Sequence, residues 1–330
     1  MATAISEKAF RAFELAWLVF SYPDYCDHFT KEYPMSMDIN YELYKVFYYV
    51  ASSLSFSEAS KQLFISQSAV SQSIKTLEKK LEQQLFIRST KKVRLTPAGQ
   101  VLLKHIEPAM NLIRRGENQL LDSQSLGLGQ LHIGASDTIC RYLLVPYLKK
   151  FHEKFPNVPI KVTNATSLAC VDLLEQGKVD VIITNFPNTR LNQSYIQKTI
   201  CNFQDVFIAN PAYFKLEQKE LTLAQLNRYP ILMLERKCTT SEFLHNLFLQ
   251  HQLELVPEVE LSSNDLLIDL ARIGLGIAFI PDYCLRRDSR DLFVLKTKEQ
   301  MPYRQIVASV SPAMPPAVST REFLDLLPTL

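Results

Sequence analysis

From Ile39 onward the apolar residues Leu43, Val46, Phe47 and Val50 recur at steps near three and four, the period of an amphipathic helix. After Ser57 a shorter stripe of Ala59, Leu63 and Phe64 predicts a second helix of about eight residues. A third opens at Ser66, a natural N-cap, and puts Val70, Ile74, Leu77 and Leu81 on one face while its other side stays polar. Only Phe64 to Ser66 separate the last two helices. That is the spacing of a helix-turn-helix, whose second member enters the DNA major groove.

Two short β-prone segments follow, Leu85 to Arg88 and Lys91 to Thr96, on either side of Ser89-Thr90. They read as a wing. Thr96-Pro97 then supplies an N-cap and a first-turn proline for a long helix running to about Ser123. Its residues Leu102, Ile106, Ala109, Ile113 and Leu120 form a narrow apolar seam, with Gly116 in the missing slot, which predicts pairing with a second helix. Pro108 cannot donate to the carbonyl four residues back, so a kink is expected between Lys104 and Pro108. Gly127-Leu128-Gly129 reads as a hinge.

Beyond the hinge, strand and helix patterns alternate: Leu131 to Gly134, Tyr142 to Phe155, Pro159 to Asn164, Ser167 to Gln176 and Val179 to Thr184. The alternation predicts an α/β domain with a largely parallel sheet. It restarts at Phe203 to Ala209 and continues through a helix at Thr240 to Gln252, a strand at Glu254 to Leu261, a helix at Asn264 to Ile273 and the apolar run Ile277 to Ile280. Two linked lobes fit this length better than one.

At 330 residues and 47% hydrophobic content the chain has the makeup of an ordinary globular protein of about two domains. The six cysteines include no C-x-x-C pair, which excludes a zinc ribbon and a thioredoxin-like motif and suits a reducing cytoplasm. No apolar run reaches membrane-spanning length, and Glu7 and Glu14 interrupt the N-terminus, so neither an anchor nor a signal peptide is expected. Charge becomes informative when divided along the chain. Residues 37–104 carry ten Lys/Arg against five Asp/Glu, whereas 105–330 carry 23 against 24. Positive charge confined to one short stretch is the footprint of a nucleic-acid-binding module.

Catalytic readings find no residues. Gly274-Leu275-Gly276 precedes a strand instead of following one, the six histidines form no H-E-x-x-H spacing, and no G-x-S-x-G elbow occurs. No enzyme, cofactor or metal is expected.

The residues Phe56-Ser57-Glu58-Ala59-Ser60, Ser66-Gln67-Ser68-Ala69-Val70-Ser71, Leu77-Glu78, Leu85-Phe86-Ile87-Arg88 and Leu95-Thr96-Pro97-Ala98-Gly99 together resemble the LysR-type transcriptional regulators. The likeness continues in Leu131-His132-Ile133-Gly134, in Gly177 to Ile183 and in Gly274 to Pro281. Ser68 stands where that family most often has proline, and Ser60 where a second alanine is usual. The resemblance implies an α/β architecture with an N-terminal winged helix-turn-helix (37–96), a linker helix for dimerisation (97–126) and a two-lobed, periplasmic-binding-protein-like effector domain (127–330). Lobe one is expected at about 130–203 and 287–330, and lobe two at about 204–286. The implied partners are a double-stranded DNA operator, a small-molecule effector, a second or fourth copy of the chain in a homodimer or homotetramer, and RNA polymerase. Residues 1–36 have no counterpart in the family; Phe10, Phe13, Trp17 and Phe20 form a possible helical stripe there.

Within this frame Ser66, Gln67, Ser68, Ser71, Gln72 and Lys75 are the candidates to meet phosphates and base edges, with glutamine suited to adenine. Arg88, Lys91, Lys92 and Arg94 on the wing are assigned to phosphate or minor-groove contact. Leu102, Ile106, Ile113 and Leu120 are assigned to dimerisation. In the effector domain Ser136, Asp137 and Thr138, Thr166 and Ser167, and Thr239 and Thr240 each begin a helix; the resemblance implies a small-molecule cleft there, between the lobes, so the three N-termini are expected to converge on one ligand. Asp137 would disfavour a ligand carboxylate close by, which leaves a polar or cationic effector open. Cys140, Cys201 and Cys238 are candidates for oxidant sensing, with plain burial as the simpler role.

Overall fold

The computed structural model describes residues 39–88, 92–122, 129–192, 194–286, 291–312 and 316–330. The aromatic stripe at Phe10 to Phe20, the wing tip with Lys91, and the hinge residues Gly127 and Leu128 lie outside them. The chain forms two compact units that divide within the longest described helix, after Val101.

In the first unit α1 (Tyr41–Ser53), α2 (Phe56–Leu63) and α3 (Gln67–Leu81) pack around Phe47, Val50, Ala59, Val70, Ile74 and Leu77. Each helix begins at a side-chain cap, Asn40, Ser55 and Ser66 in turn, and each ends on a residue with left-handed φ, namely Leu54, Phe64 and Glu82. The short turn between α2 and α3 is thereby closed by backbone geometry, as the N-cap pattern requires. β1 (Phe86–Arg88) and β2 (Val93–Leu95) pair antiparallel as the wing. Glu78 fastens that wing to α3, its carboxylate accepting from the backbone N–H of Leu85 (2.9 Å) and Phe86 (3.2 Å).

The long helix α4 (Pro97–Asp122) starts at Thr96, whose hydroxyl accepts from Gly99 N–H at 3.0 Å and donates to Gln84 O at 2.6 Å. A Cβ on residue 99 would sit 2.2 Å from Leu85 O, so only glycine lets the helix leave the wing this closely. Pro108 lies inside α4 without ending it.

The second unit holds two five-stranded sheets. The first uses β3 (Leu131–Ala135), followed by a helical stretch of α5 (Asp137–Ile139), a π turn (Cys140–Leu144) and α6 (Val145–Lys154), then β4 (Ile160–Asn164), α7 (Ser167–Glu175), β5 (Val181–Phe186) and β6 (Ile196–Phe203). The second uses β7 (Asp205–Ala209), with β8 (Glu220–Leu221) and α8 (Leu223–Leu226) beside it, then β9 (Ile231–Leu234), α9 (Thr239–Gln250), β10 (Val259–Leu261), α10 (Asn264–Arg272), β11 (Ile277–Pro281) and β12 (Phe293–Val294). After β13 (Lys296–Thr297) the chain returns to the first sheet as β14 (Arg304–Val310) and closes with α11 (Val318–Leu326).

Strand order is β4-β3-β5-β14-β6 in one sheet and β10-β9-β11-β7-β12 in the other. Both run two parallel pairings and then two antiparallel ones. The expected parallel character therefore holds for half of each sheet. The antiparallel half comes from β6, β7, β12 and β14, of which β6 and β14 carry no helix-flanked apolar run to announce them. The lobe boundary also moves. Phe293–Thr297 was expected in lobe one, but β12 pairs with β7, β13 pairs with β8, and Leu295 is buried in the second lobe's core with Phe207, Leu221 and Phe279. Lobe two thus extends past Thr297, and the chain crosses between lobes at Gln204 and again between β13 and β14.

Candidate DNA interface and inter-lobe cavity

Along α3 the buried face is Val70, Ile74 and Leu77, with Leu81 half-buried. The opposite side presents Gln67, Ser68, Gln72 and Lys75 to solvent, with Ser71 partly covered. Ser66 is exposed and occupied as the N-cap, accepting from Ala69 N–H at 3.2 Å, and its hydroxyl lies 2.9 Å from that of Ser68. Serine at position 68, unlike proline, keeps its backbone N–H, so the first turn of α3 offers one more donor to an anion. Lys92 and Arg94 are exposed on the wing, Arg88 is the last residue of β1, and Lys91 falls outside the described residues.

On α4, Ile113 and Leu120 are exposed at 44% and 73%, and Leu102 and Ile106 are half-buried within the chain. Val101 and Leu112, absent from the expected seam, are exposed as well, at 63% and 46%. The uncovered apolar strip is broader than a single a/d seam.

All seven residues singled out in the effector domain line one cavity of about 300 Å³ between the lobes. Ser136, Asp137, Thr138, Thr166 and Ser167 come from lobe one; Thr239 and Thr240 come from lobe two. A further helix start completes it. Ser262, Ser263 and Asn264 at the head of α10 line the same space, together with Asn164, Ala165, Asn185, Leu234, Cys238 and Tyr283. The Ser-Ser-Asn run before an apolar helix is the signal that would have found the fourth N-terminus.

Six of the hydroxyls around the cavity already accept a hydrogen bond. Ser136 accepts from Ile139 N–H, Thr166 from Ala169 N–H and Ser263 from Leu266 N–H, each at 3.3 Å. Ser167 Oγ accepts from Asn185 N–H at 3.1 Å, Thr138 Oγ1 from Asn264 Nδ2 at 2.9 Å, and Thr240 Oγ1 from Arg304 Nη1 at 3.2 Å. Each of these hydroxyls still has its proton and one lone pair to offer a ligand. Among the described residues the Tyr283 phenol, Asn185 Oδ1 and Asn264 Oδ1 are buried without a hydrogen-bond partner. Burial drives the Tyr283 phenol far above its ordinary pKa, so it too remains a donor. Asp137, the one charged residue among the described residues of the lining, is exposed to solvent, which weakens its expected veto on an anionic ligand.

Beneath Thr240 lies a buried ion pair. Arg304 Nη1 is 2.6 Å from Asp205 Oδ2, and its guanidinium sits 5.3 Å from the Phe203 ring and 5.2 Å from that of Phe243. Burial raises the Asp205 carboxyl and the Arg304 charge offsets part of that rise. Thiol chemistry is unfavourable here. Burial pushes Cys140 and Cys238 up to about 11 and Cys170 to about 12, which keeps the thiols protonated at neutral pH.

Two family models match the chain: "Bacterial regulatory helix-turn-helix protein, lysR family" over residues 41–100, and "LysR substrate binding domain" over 124–329. Among curated proteins, a probable RuBisCO transcriptional regulator of Phaeodactylum tricornutum is 26% identical over 245 residues, covering 72% of this chain and 79% of that protein. The uncharacterized HTH-type transcriptional regulator YcaN of Escherichia coli is 36% identical over 141 residues, covering 43% and 46%. Among solved structures, CbnR, titled a LysR family transcriptional regulator, superposes with a TM-score of 0.60 at 17% identity, covering 87% of this chain and 98% of its own. The Synechocystis PCC6803 CcmR regulatory domain in complex with 2-PG gives 0.54 at 21% identity, covering 59% and 94%. Likeness at these identities is one of fold.

Proposed function

The chain belongs to the LysR family of bacterial regulators, and from that premise we propose how its two units divide the work. It is a DNA-binding transcriptional regulator with an effector-binding domain. In this reading α3 inserts Gln67, Gln72 and the serines Ser66, Ser68 and Ser71 into the major groove, and Lys75 reaches the groove edge. Arg88, Lys91, Lys92 and Arg94 hold phosphates and supply salt-dependent affinity. Two α4 helices pair through Leu102, Ile106, Ile113 and Leu120, widened by Val101 and Leu112, and a homodimer or homotetramer spans a partly palindromic operator. RNA polymerase is the partner at the promoter, and the cytoplasm is the site of action.

The effector binds in the inter-lobe cavity. The observation that supports this reading is the meeting there of the helix starts at Ser136, Thr166, Thr239 and Ser263, on a surface that combines hydroxyl protons with the amide oxygens of Asn185 and Asn264. Such a lining suits a small polar molecule, an oxyanion included, that accepts from the hydroxyls and from backbone N–H groups at the starts of α7, α9 and α10 and carries a donor for Asn185 or Asn264 Oδ1. Calorimetry with 2-PG, inorganic phosphate and small hydroxy acids tests it. Binding that is lost in Ser136→Ala/Thr138→Ala, while affinity for operator fragments recovered from genomic DNA is kept, is the expected result. Binding undiminished in that variant places the ligand elsewhere.

A further inference from the structure

One helix touches both the inter-lobe cavity and the linker helix. The N-terminal end of α7 lines the cavity through its cap Thr166 and through Ser167, whose hydroxyl and carbonyl are tied to Asn185 N–H and Asn188 Nδ2 (2.9 Å). The opposite end is tied to α4. Asn111 Nδ2 donates to the Gln176 carbonyl at 2.6 Å, and Lys178 Nζ lies 2.7 Å from Glu107 Oε1. The Gln176 carbonyl is available because α7 stops there: Gly177 turns the chain at φ 65°, and Lys178 N–H bonds back to Leu173 O. An orphan carbonyl of a helix C-terminus is thus given a partner by the linker.

From this we infer that α7 is the lever through which the state of the effector cavity is imposed on the linker helix, with Asn111 and Glu107 as its attachment points. Three features suit it to the task. It is short, nine residues or about 13 Å, so its ends are rigidly related. Its flank is fixed in the lobe-one core by the buried Cys170, Val171 and Leu174, so it moves with that lobe as one body. Its two attachments lie one helical turn apart on α4, at positions 107 and 111, which fixes a stretch of α4 and not just a point. A ligand that draws lobe one towards lobe two through Thr166 or Ser167 therefore carries α7, and the stretch of α4 attached to it, along with the lobe.

The lever rests on the cavity being the effector site, so its test uses the full-length protein without any ligand. Thr166→Val removes the oxygen that caps Ala169 N–H while keeping side-chain volume. Hydrogen exchange followed by mass spectrometry should then show faster exchange in α7 and also in linker peptides spanning 104–112, by about fivefold, because each opening of α7 releases the anchor. In Asn111→Leu/Glu107→Gln, the same cap substitution should leave the linker peptides unchanged. Lys198→Met is the control: it cuts bonds from lobe one to the Leu324 and Leu327 carbonyls, far from the anchor in sequence, and should not alter the linker. The lever is rejected if linker peptides ignore the cap substitution while α7 itself exchanges faster, if they respond equally with and without the anchors, or if Lys198→Met moves them as much. Should Thr166→Val not fold, Ser167→Ala cuts the neighbouring bond to Asn185 N–H and takes its place. A small acid that binds the cavity of a protein whose linker stays indifferent overturns the lever alone; transmission in a protein whose cavity binds none of the probes overturns the effector reading alone.

Discussion

Asp205→Asn removes the charge that balances Arg304 and leaves every neighbouring atom nearly in place. Both side chains are essentially out of solvent, at 0% and 2% exposure, and the pair occupies the first residues of β7 and β14, where the chain enters each strand from an inter-lobe crossing. Among the described residues Arg304 Nε and Nη2 have no other partner, so the guanidinium is left with neutral groups alone: the new amide oxygen, Thr240 and the faces of Phe203 and Phe243. Breaking a buried pair from one side costs about 3 to 5 kcal/mol, because the remaining charge is uncompensated. For a domain of this size that corresponds to a fall of about 10 °C in the effector-domain melting transition.

Arg304→Met should behave differently. Its removal leaves Asp205, which escapes by taking up a proton, since burial already raises its carboxyl and the offsetting charge is gone. A carboxyl whose folded pKa lies above its unfolded value binds more protons in the native state, so stability falls as pH rises from the unfolded value towards the folded one. Arg304→Met should therefore melt higher at pH 5 than at pH 8, and the double variant should cost less than Asp205→Asn alone. Calorimetric scans at the two pH values decide it. An Asp205→Asn protein within about 1 kcal/mol of the parent, or an Arg304→Met protein that gains stability with rising pH, would refute the assignment of the pair as a mutually dependent charge couple.

Gln72→Ala should relax base preference at one half-site position at a cost of about 1 to 3 kcal/mol, whereas Lys92→Ala should weaken all sequences alike and lower the salt slope by about one; band shifts at several salt concentrations separate the two. Ile113→Glu should place a charge in the exposed strip of α4 and shift the light-scattering mass towards the monomer; an unchanged mass moves the interface to the effector domains. Gly99→Ala should lower the melting point of the winged domain, because its Cβ meets Leu85 O at 2.2 Å and the start of α4 must move off the wing. A variant as stable as the parent would show that this junction yields freely.

The winged unit was legible almost residue by residue because its signals are local. Caps at Ser66 and Thr96, apolar steps of three and four, and a proline at the head of α4 each act within a few residues. Local signals cannot announce pairing between distant segments. β14 joins β5 and β6 across more than a hundred residues, and nothing in Arg304 to Val310 distinguishes a central strand from any other apolar run. The same limit explains the misplaced lobe boundary, since Phe293–Val294 reveals its sheet only through its partner β7. Arg304 and Asp205, separated by 99 positions, are invisible to spacing arguments for the same reason.

The cavity was half legible, and the division follows from topology. In a parallel β-α unit the helix begins where the strand ends, so every N-cap after a parallel strand lies at the carboxyl edge of its sheet. Thr166 follows β4, Cys238 follows β9 and Ser263 follows β10, and the two lobes turn these edges towards one another. Reading helix starts thus amounted to reading one rim of the site. The other rim consists of strand ends, with Asn164 closing β4, Asn185 near the end of β5 and Leu234 closing β9. The rule that selected Thr166 selects Asn164 and Asn185 as well, once the strands are known to be parallel and adjacent to β3. Tyr283 obeys no such rule: it enters from the turn after the antiparallel-paired end of β11, and only the fold brings its unpartnered hydroxyl to the cavity. Residues that follow the parallel half of each sheet are therefore open to sequence reasoning, and those contributed by the antiparallel half become visible only with the structure.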